Sequence, residues 1–186
     1  MFNSVLAKVI LEQANGKKSV GIHLSGGKDT RAILAVLMGA GVKVDGVVCI
    51  DNEKKHIKED LQISSLICKE FDLNMVKISG ENDFFSLSRK GNHGFDVLFS
   101  GFLMTELLDR GFSPKGNVVI EIVEKTRKLL NEVEGLCVPM MDVECLAASS
   151  FIPFYFKFSG LVNRKVIEWN YPDLLRFDIH SGFDKK

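Results

Sequence analysis

The sequence predicts an α/β fold: a parallel sheet with helices on both faces, and a small helical C-terminal lobe. Three observations carry this. Strand-like apolar runs alternate with helical periodicity through the first hundred residues, the pattern of parallel strands joined by helical crossovers. The run Val44 to Ile50 reads as a strand covered on both faces. Residues 30–40 are apolar nearly all round, as in a helix buried against a sheet.

The elements follow in order. Val5, Leu6, Val9 and Ile10 recur at helical spacing, and Gly16 stops that helix. Lys8 and Glu12 within the pattern mark it as amphipathic and not a signal peptide. Val20, Ile22 and Leu24 form a first strand. The buried helix over 30–40 ends at Gly39 and Gly41, and Val44–Ile50 is the second strand. Ile57, Leu61, Ser64, Cys68 and Phe71 mark one face of a long helix. Met75 to Ile78 is a third strand, Gly80 to Gly94 a loop or short helix, and Phe95 to Phe99 a fourth strand. Helices are expected over about 102–110 and 117–133, with shorter pieces beyond Asp142. One domain is expected over 1–186, with its core at about 1–112 and the helical lobe at about 113–186.

Composition bounds the function. The chain has 186 residues, 24 Lys+Arg and 24 Asp+Glu, so its formal net charge is zero. A nucleic-acid coat is usually basic, so nucleic acid is not an expected partner. Hydrophobic residues are 46%, which excludes extended disorder. The longest uncharged apolar run, Ala32 to Val42, is far short of the roughly 20 residues that span a membrane. Cys49, Cys68, Cys137 and Cys145 form no Cys-x-x-Cys pair, so buried free thiols in a reducing, cytoplasmic setting are expected.

The informative segment is Ser25-Gly26-Gly27-Lys28-Asp29-Thr30, between the first strand and the buried helix. Open α/β sheets place ligands there, outside the carboxyl ends of their strands. Gly26 and Gly27 leave backbone N–H groups uncovered, and these form an anion cradle with the helix N-terminus. Ser25 and Thr30 add hydroxyls and Lys28 a cation. Asp29 would repel a phosphate unless it holds Mg²⁺ that binds the phosphate too. A helix dipole supplies about 0.3–1 kcal/mol. Micromolar nucleotide binding needs about 8 kcal/mol, so loop donors and metal must supply most of it. A Walker loop is excluded, because Ile22 and Asp29 stand where it needs Gly and Ser/Thr.

Ser-Gly-Gly-Lys-Asp-Thr resembles the pyrophosphate loop of the N-type ATP pyrophosphatase superfamily, usually Ser-Gly-Gly-x-Asp-Ser/Thr. Ser100-Gly-Phe-Leu-Met-Thr-Glu106 is similar to the second motif of its asparagine synthetase-like branch, Ser-Gly-Glu-Gly-x-Asp-Glu. Ser100, Gly101 and Glu106 match, while Phe102, Leu103 and Thr105 depart. Pro139-Met-Met-Asp142 resembles a third run, Pro-Phe-Leu-Asp.

The resemblance implies an adenine nucleotide alpha hydrolase-like fold. It implies ATP and Mg²⁺ as cofactors, and a ligase that adenylates a small molecule and releases pyrophosphate. Ser25, Gly26, Gly27, Lys28, Asp29, Thr30, Asp51 and Gly101 would then bind ATP, with Asp29 and Glu106 on the metal. The glutaminase domain is not expected, since residue 2 is Phe and not Cys. A separate ammonia-supplying subunit and self-association are the remaining partner expectations. The alternatives are a catalytically degenerate nucleotide sensor, favoured by Thr105, and a tRNA-modifying relative, disfavoured by cysteine spacing and neutrality.

Other residues carry one or two readings. Asp51 touches the ribose or caps the following helix. Asp96 is a paired buried carboxylate within its strand. His23 is a core or edge histidine, or a phosphate neighbour. Lys17, Lys18, Lys54 and Lys55 form a solvated surface. Arg164 and Lys165 are surface residues or phosphate neighbours. The aromatic run Phe151 to Phe158 packs into the lobe or forms a partner surface.

Overall fold

The structure is a computed structural model and describes residues 1–81, 83–101, 117–153 and 161–178. Helix α1 (Phe2–Ala14) leads into strand β1 (Val20–His23), then α2 (Lys28–Gly39), β2 (Gly46–Asp51), α3 (Lys55–Glu70) and β3 (Met75–Ser79). A short α4 (Phe84–Ser88) precedes β4 (Val97–Phe99). Helix α5 (Asn117–Glu132), β5 (Leu136–Cys137), α6 (Val143–Ser150) and α7 (Leu161–Asn170) follow, with 3₁₀ turns at Pro139–Met141 and Pro172–Arg176.

All four strand pairings are parallel, and the sheet order is β3-β2-β1-β4-β5. The predicted alternation is therefore present, and side chains alternate across the sheet as strand geometry requires. Val47 and Cys49 enter one core with Val20, Ile22, Val97 and Phe99, packed by α1, α2 and α7. Val48, Ile50 and Leu98 face the other way, onto Leu87 of α4, Leu129 of α5 and Val133 just past that helix. The sheet thus has helices on both faces.

Four expectations shift. Strand β5 lies in the half expected to be a helical lobe and extends the sheet. Strand β4 begins at Val97, not Phe95. The Phe95 ring instead lies over β1 and β2, where a Cβ on Gly21 or Gly46 would come within 2.4 Å of it. Asp96 is exposed and outside the strand. Its Oδ2 accepts the Lys18 N–H at 2.7 Å, so it closes a loop and is no buried carboxylate. Phe151 is 72% exposed, against the expectation of lobe packing. The rest of that run from residue 154, and the helix expected over about 102–110, lie outside the described residues.

The four cysteines are free and buried, and burial pushes Cys49 up to about 12. Lys17, Lys18, Lys54 and Lys55 are exposed, as expected. Among the described residues no helix is long and apolar enough to cross a membrane.

The glycine bed under Phe95 yields a stability prediction. Gly21→Ala forces the ring to move and is expected to lower the unfolding free energy by about 1–3 kcal/mol, the usual range for overpacking. Urea denaturation measures it, and a variant as stable as wild type would show that Phe95 can leave its seat freely.

Candidate functional site

The sheet runs outward from β1 to β3, then resumes on the other side of β1 with β4. The switch point therefore lies between β1 and β4, where open parallel sheets form their ligand crevice. Two loops border it, Ser25–Gly27 after β1 and Ser100–Gly101 after β4.

The loops touch. A Cβ on Gly101 would lie 3.0 Å from the Thr30 backbone nitrogen and 3.2 Å from the Asp29 carbonyl carbon. Only a glycine lets the second loop approach the first turn of α2 this closely. Ser100 is 1% exposed, and its N–H donates to Cys137 O at 2.8 Å.

Within the first loop the donors are occupied at modest strength. Gly26 N–H donates to Asp60 Oδ1, Gly27 N–H to Ser25 Oγ, and Ser25 N–H to Thr30 Oγ1, each at 3.2 Å. These lengths are at the weak end of the N–H···O range. A phosphate oxygen would offer charge-assisted bonds of about 1.5–3 kcal/mol, against about 0.5–1.5 for the neutral hydroxyl acceptors of Ser25 and Thr30, whereas the Asp60 carboxylate already gives Gly26 a charged acceptor. Lys28 and Asp29 occupy the first turn of α2, both half-buried.

Three residues that the motif reading missed hold this loop. Asp60, from α3, reaches Gly26 and also limits its size, since a Cβ there would come within 2.8 Å of Asp60 Oδ1. Arg31 is fully buried in α2. Its guanidinium donates to Gly26 O at 2.9 Å, and to Leu174 O, Phe177 O and Asp178 O at 3.3, 2.9 and 2.8 Å. Burial lowers its pKa to about 10, opposed by the nearby charges of Asp178 and Asp60, so it stays charged at neutral pH. Asn163 of α7 is also fully buried, and its Nδ2 donates to Asp29 Oδ1 at 2.6 Å. A signal for Arg31 existed in the sequence: arginine is almost never fully buried unless paired, and here it opens an apolar run. Asp60 and Asn163 are distant in sequence from the loop and carried no local signal.

Asp51 ends β2 opposite Ser79. It does not cap α3: the N-cap is Lys54, whose N–H donates to Asn52 Oδ1 at 2.9 Å. His23 is fully buried on the face toward α4, its ring 5.2 Å from that of Phe84, in agreement with the core reading. Arg164 and Lys165 are exposed, and Lys165 pairs with Glu168 at 2.7 Å. Glu106, Phe102, Leu103 and Thr105 lie outside the described residues.

A recess beside the loop is lined by Leu24, Ser25, Cys49, Ile50, Asp60 and Phe84, among others. Its volume is about 20 Å³. That holds roughly one water, whereas ligand pockets are usually about 300 Å³ or more. A larger cavity, about 640 Å³, runs along β5 past Glu12, Lys17, Asp96 and Asp142. Three carboxylates to one lysine suit no polyphosphate, and none of the loop residues lines it, so size does not mark the site.

The chemistry of the donor set suits Mg²⁺. That ion prefers oxygen, and takes one or two carboxylates beside phosphate oxygens and waters. Asp29 and Asp60 both approach the loop. Among the described residues no three His, Cys, Asp or Glu side chains cluster as an all-protein metal cage would require. A scan against protein-family models gives no match, and no curated protein matches the chain. What the chain is shown to carry is an α/β fold with a five-stranded parallel sheet, its two glycine loops meeting at the switch point.

Proposed function

We propose that this chain is an N-type ATP pyrophosphatase-like enzyme of the asparagine synthetase-like kind. It binds ATP at Ser25–Thr30 and adenylates a small-molecule substrate, releasing pyrophosphate. The observation that supports this most is the contact of Gly101 with the first turn of α2 at the sheet's switch point. It brings Ser100-Gly101, the start of the second motif, against the first.

In this reading a substrate carboxylate or carbonyl oxygen attacks the α-phosphorus. The P–O bond to pyrophosphate breaks, and an amine or other nucleophile then displaces AMP. The protein positions the reactants and neutralises charge. Gly26 and Gly27 N–H groups and the N-terminus of α2 hold the leaving pyrophosphate, aided by Ser25, Lys28 and Thr30. Gly26 N–H is then withdrawn from Asp60. Asp29, with Glu106 as second candidate, would hold Mg²⁺, which supplies charge neutralisation on the phosphates. Asp51, at the carboxyl end of β2, is on the edge where the adenosine ribose would lie. The base would enter the recess under Phe84, which must open to admit it.

Partners in this reading are ATP and the acid substrate, with ammonia supplied by a separate subunit where the nucleophile is an amine. A degenerate nucleotide sensor is the second reading. Phe102 and Thr105, in place of the motif's acidic residues, favour it.

ATP–pyrophosphate exchange with pools of carboxylic acids separates the two. Exchange by wild type and its loss, at least a hundredfold, in Asp29→Ala is the expected result. ATP binding without exchange for any pool favours the sensor. Absence of ATP binding even with Mg²⁺ sinks both.

A further inference from the structure

Asn163 presents a problem that the fold alone does not solve. It is fully buried, and Nδ2 is committed to Asp29 Oδ1. Its Oδ1 has no hydrogen-bond partner. The two atoms share one amide carbon, so the orphan acceptor sits beside the Asp29 carboxylate. Flipping the amide offers no escape, because it would set a carbonyl oxygen against a carboxylate oxygen. Buried polar groups are paired in native proteins, so an exception calls for an absent partner.

The setting narrows what that partner is. Asp29 is in the first turn of α2, and backbone N–H groups of the loop lie just before it. A ligand there brings anionic oxygens, which cannot donate to Oδ1. The missing component must carry a hydrogen. A water coordinated to a divalent cation is such a donor, and Mg²⁺ keeps several waters when it bridges carboxylate and phosphate.

We propose that Asn163 is a positioning residue for the metal–phosphate end of the site, fixing the Asp29 carboxylate through Nδ2 and accepting a hydrogen from metal-bound water at Oδ1. This rests on the pyrophosphate-loop reading but adds a residue from the C-terminal helix that no motif contains. Outer partners of a metal-binding carboxylate orient it, and their loss commonly weakens metal binding about 10–100-fold.

The test uses the full chain with inorganic pyrophosphate and Mn²⁺ as probes, following free Mn²⁺ by electron paramagnetic resonance. In Asn163→Ala the Mn²⁺ dissociation constant in the presence of pyrophosphate is expected to rise about tenfold or more. Pyrophosphate binding in metal-free buffer should change less than about twofold, because the loop donors are intact. A merely structural role would weaken both together, or neither, and either outcome overturns the proposal. Should Asn163→Ala fail to fold, Asn163→Ser carries the same measurement, with a rise of roughly threefold expected from its retained hydroxyl. A wild type that binds Mn²⁺ and pyrophosphate but not ATP defeats the nucleotide reading, while the Mn²⁺ shift in the variant still supports Asn163. A wild type that binds neither probe overturns both.

Discussion

Replacing Arg31 by leucine is expected to lower the unfolding free energy by about 3–5 kcal/mol, the range for breaking the partners of a buried charged group. Leucine fits the apolar run around it, so packing is not the main loss. The loss is in the acceptors left behind. Gly26 O and Leu174 O are buried, Phe177 O and Asp178 O partly so, and all four take their hydrogens from this one guanidinium. A buried acceptor left without a donor costs about 1–3 kcal/mol, and relief of the arginine's own desolvation offsets part of the total. Domains of this size have about 5–15 kcal/mol in all, so the change is a large fraction. Arg31→Lys keeps the charge but loses the planar fork, and should recover less than half of the deficit. Guanidinium denaturation of the three proteins is the measurement. A loss below about 1 kcal/mol for Arg31→Leu would mean that the C-terminal 3₁₀ segment is not held through this side chain.

The same contact shows how the C-terminal part of the chain bears on the loop. Arg31 joins Gly26 to residues 174–178, and Asn163 joins Asp29 to α7. Both tethers run from the glycine loop to the C-terminal quarter of the chain. A loop of two glycines has little rigidity of its own. Here its geometry is imposed by groups far away in sequence.

That division sets what could be read in advance. The strands and crossover helices were legible because their signals are local: Val20 to Leu24, Ile57 to Phe71 and Met75 to Ile78 carry their periodicity within a few residues. The loop was legible because a strand, two glycines and a buried helix are contiguous. Strand β5 was not, since Leu136–Cys137 is too short to show alternation. Phe95 looked like strand because its neighbours are apolar. Its ring is spent on filling the bed left by Gly21 and Gly46, a pairing across separate strands that no window contains. Asp60 and Asn163 were invisible for the same reason. Asp51 ends its strand, one residue past the apolar run, but the turn oxygen belongs to the next residue, Asn52.

Acidification supplies the second large effect, and His23 is expected to carry it. The imidazole is fully buried, with neither ring nitrogen hydrogen-bonded. Burial pushes its pKa down to about 3 from an ordinary 6.5, and the neighbouring His93 acts in the same direction. Above pH 6.5 neither folded nor unfolded chain protonates this group, and it adds no pH dependence. Between pH 6.5 and 3 only the unfolded chain takes up the proton, so stability falls by about 1.4 kcal/mol for each unit of pH. From pH 7 to 4.5 the loss through His23 is about 2–3 kcal/mol, growing to about 5 near pH 3. His93, also lowered by burial, adds to the fall. Asp45, held low by its bond to Lys43, and Glu121, held low by Lys125, lose their pairs only in the carboxylate range. Those losses are common to wild type and variant, so a difference between the two isolates the histidine. His23→Leu is close in volume and removes both unpartnered nitrogens, so at pH 7 it should be as stable as wild type or more so. Urea denaturation of both proteins from pH 7 to 4.5 is the measurement. The expected outcome is a variant whose stability falls by at least about 2 kcal/mol less than that of wild type. Equal slopes would show that water or a hydrogen-bond partner reaches the ring in solution, and that the face of β1 beside the loop opens more readily than its packing against Phe84 implies.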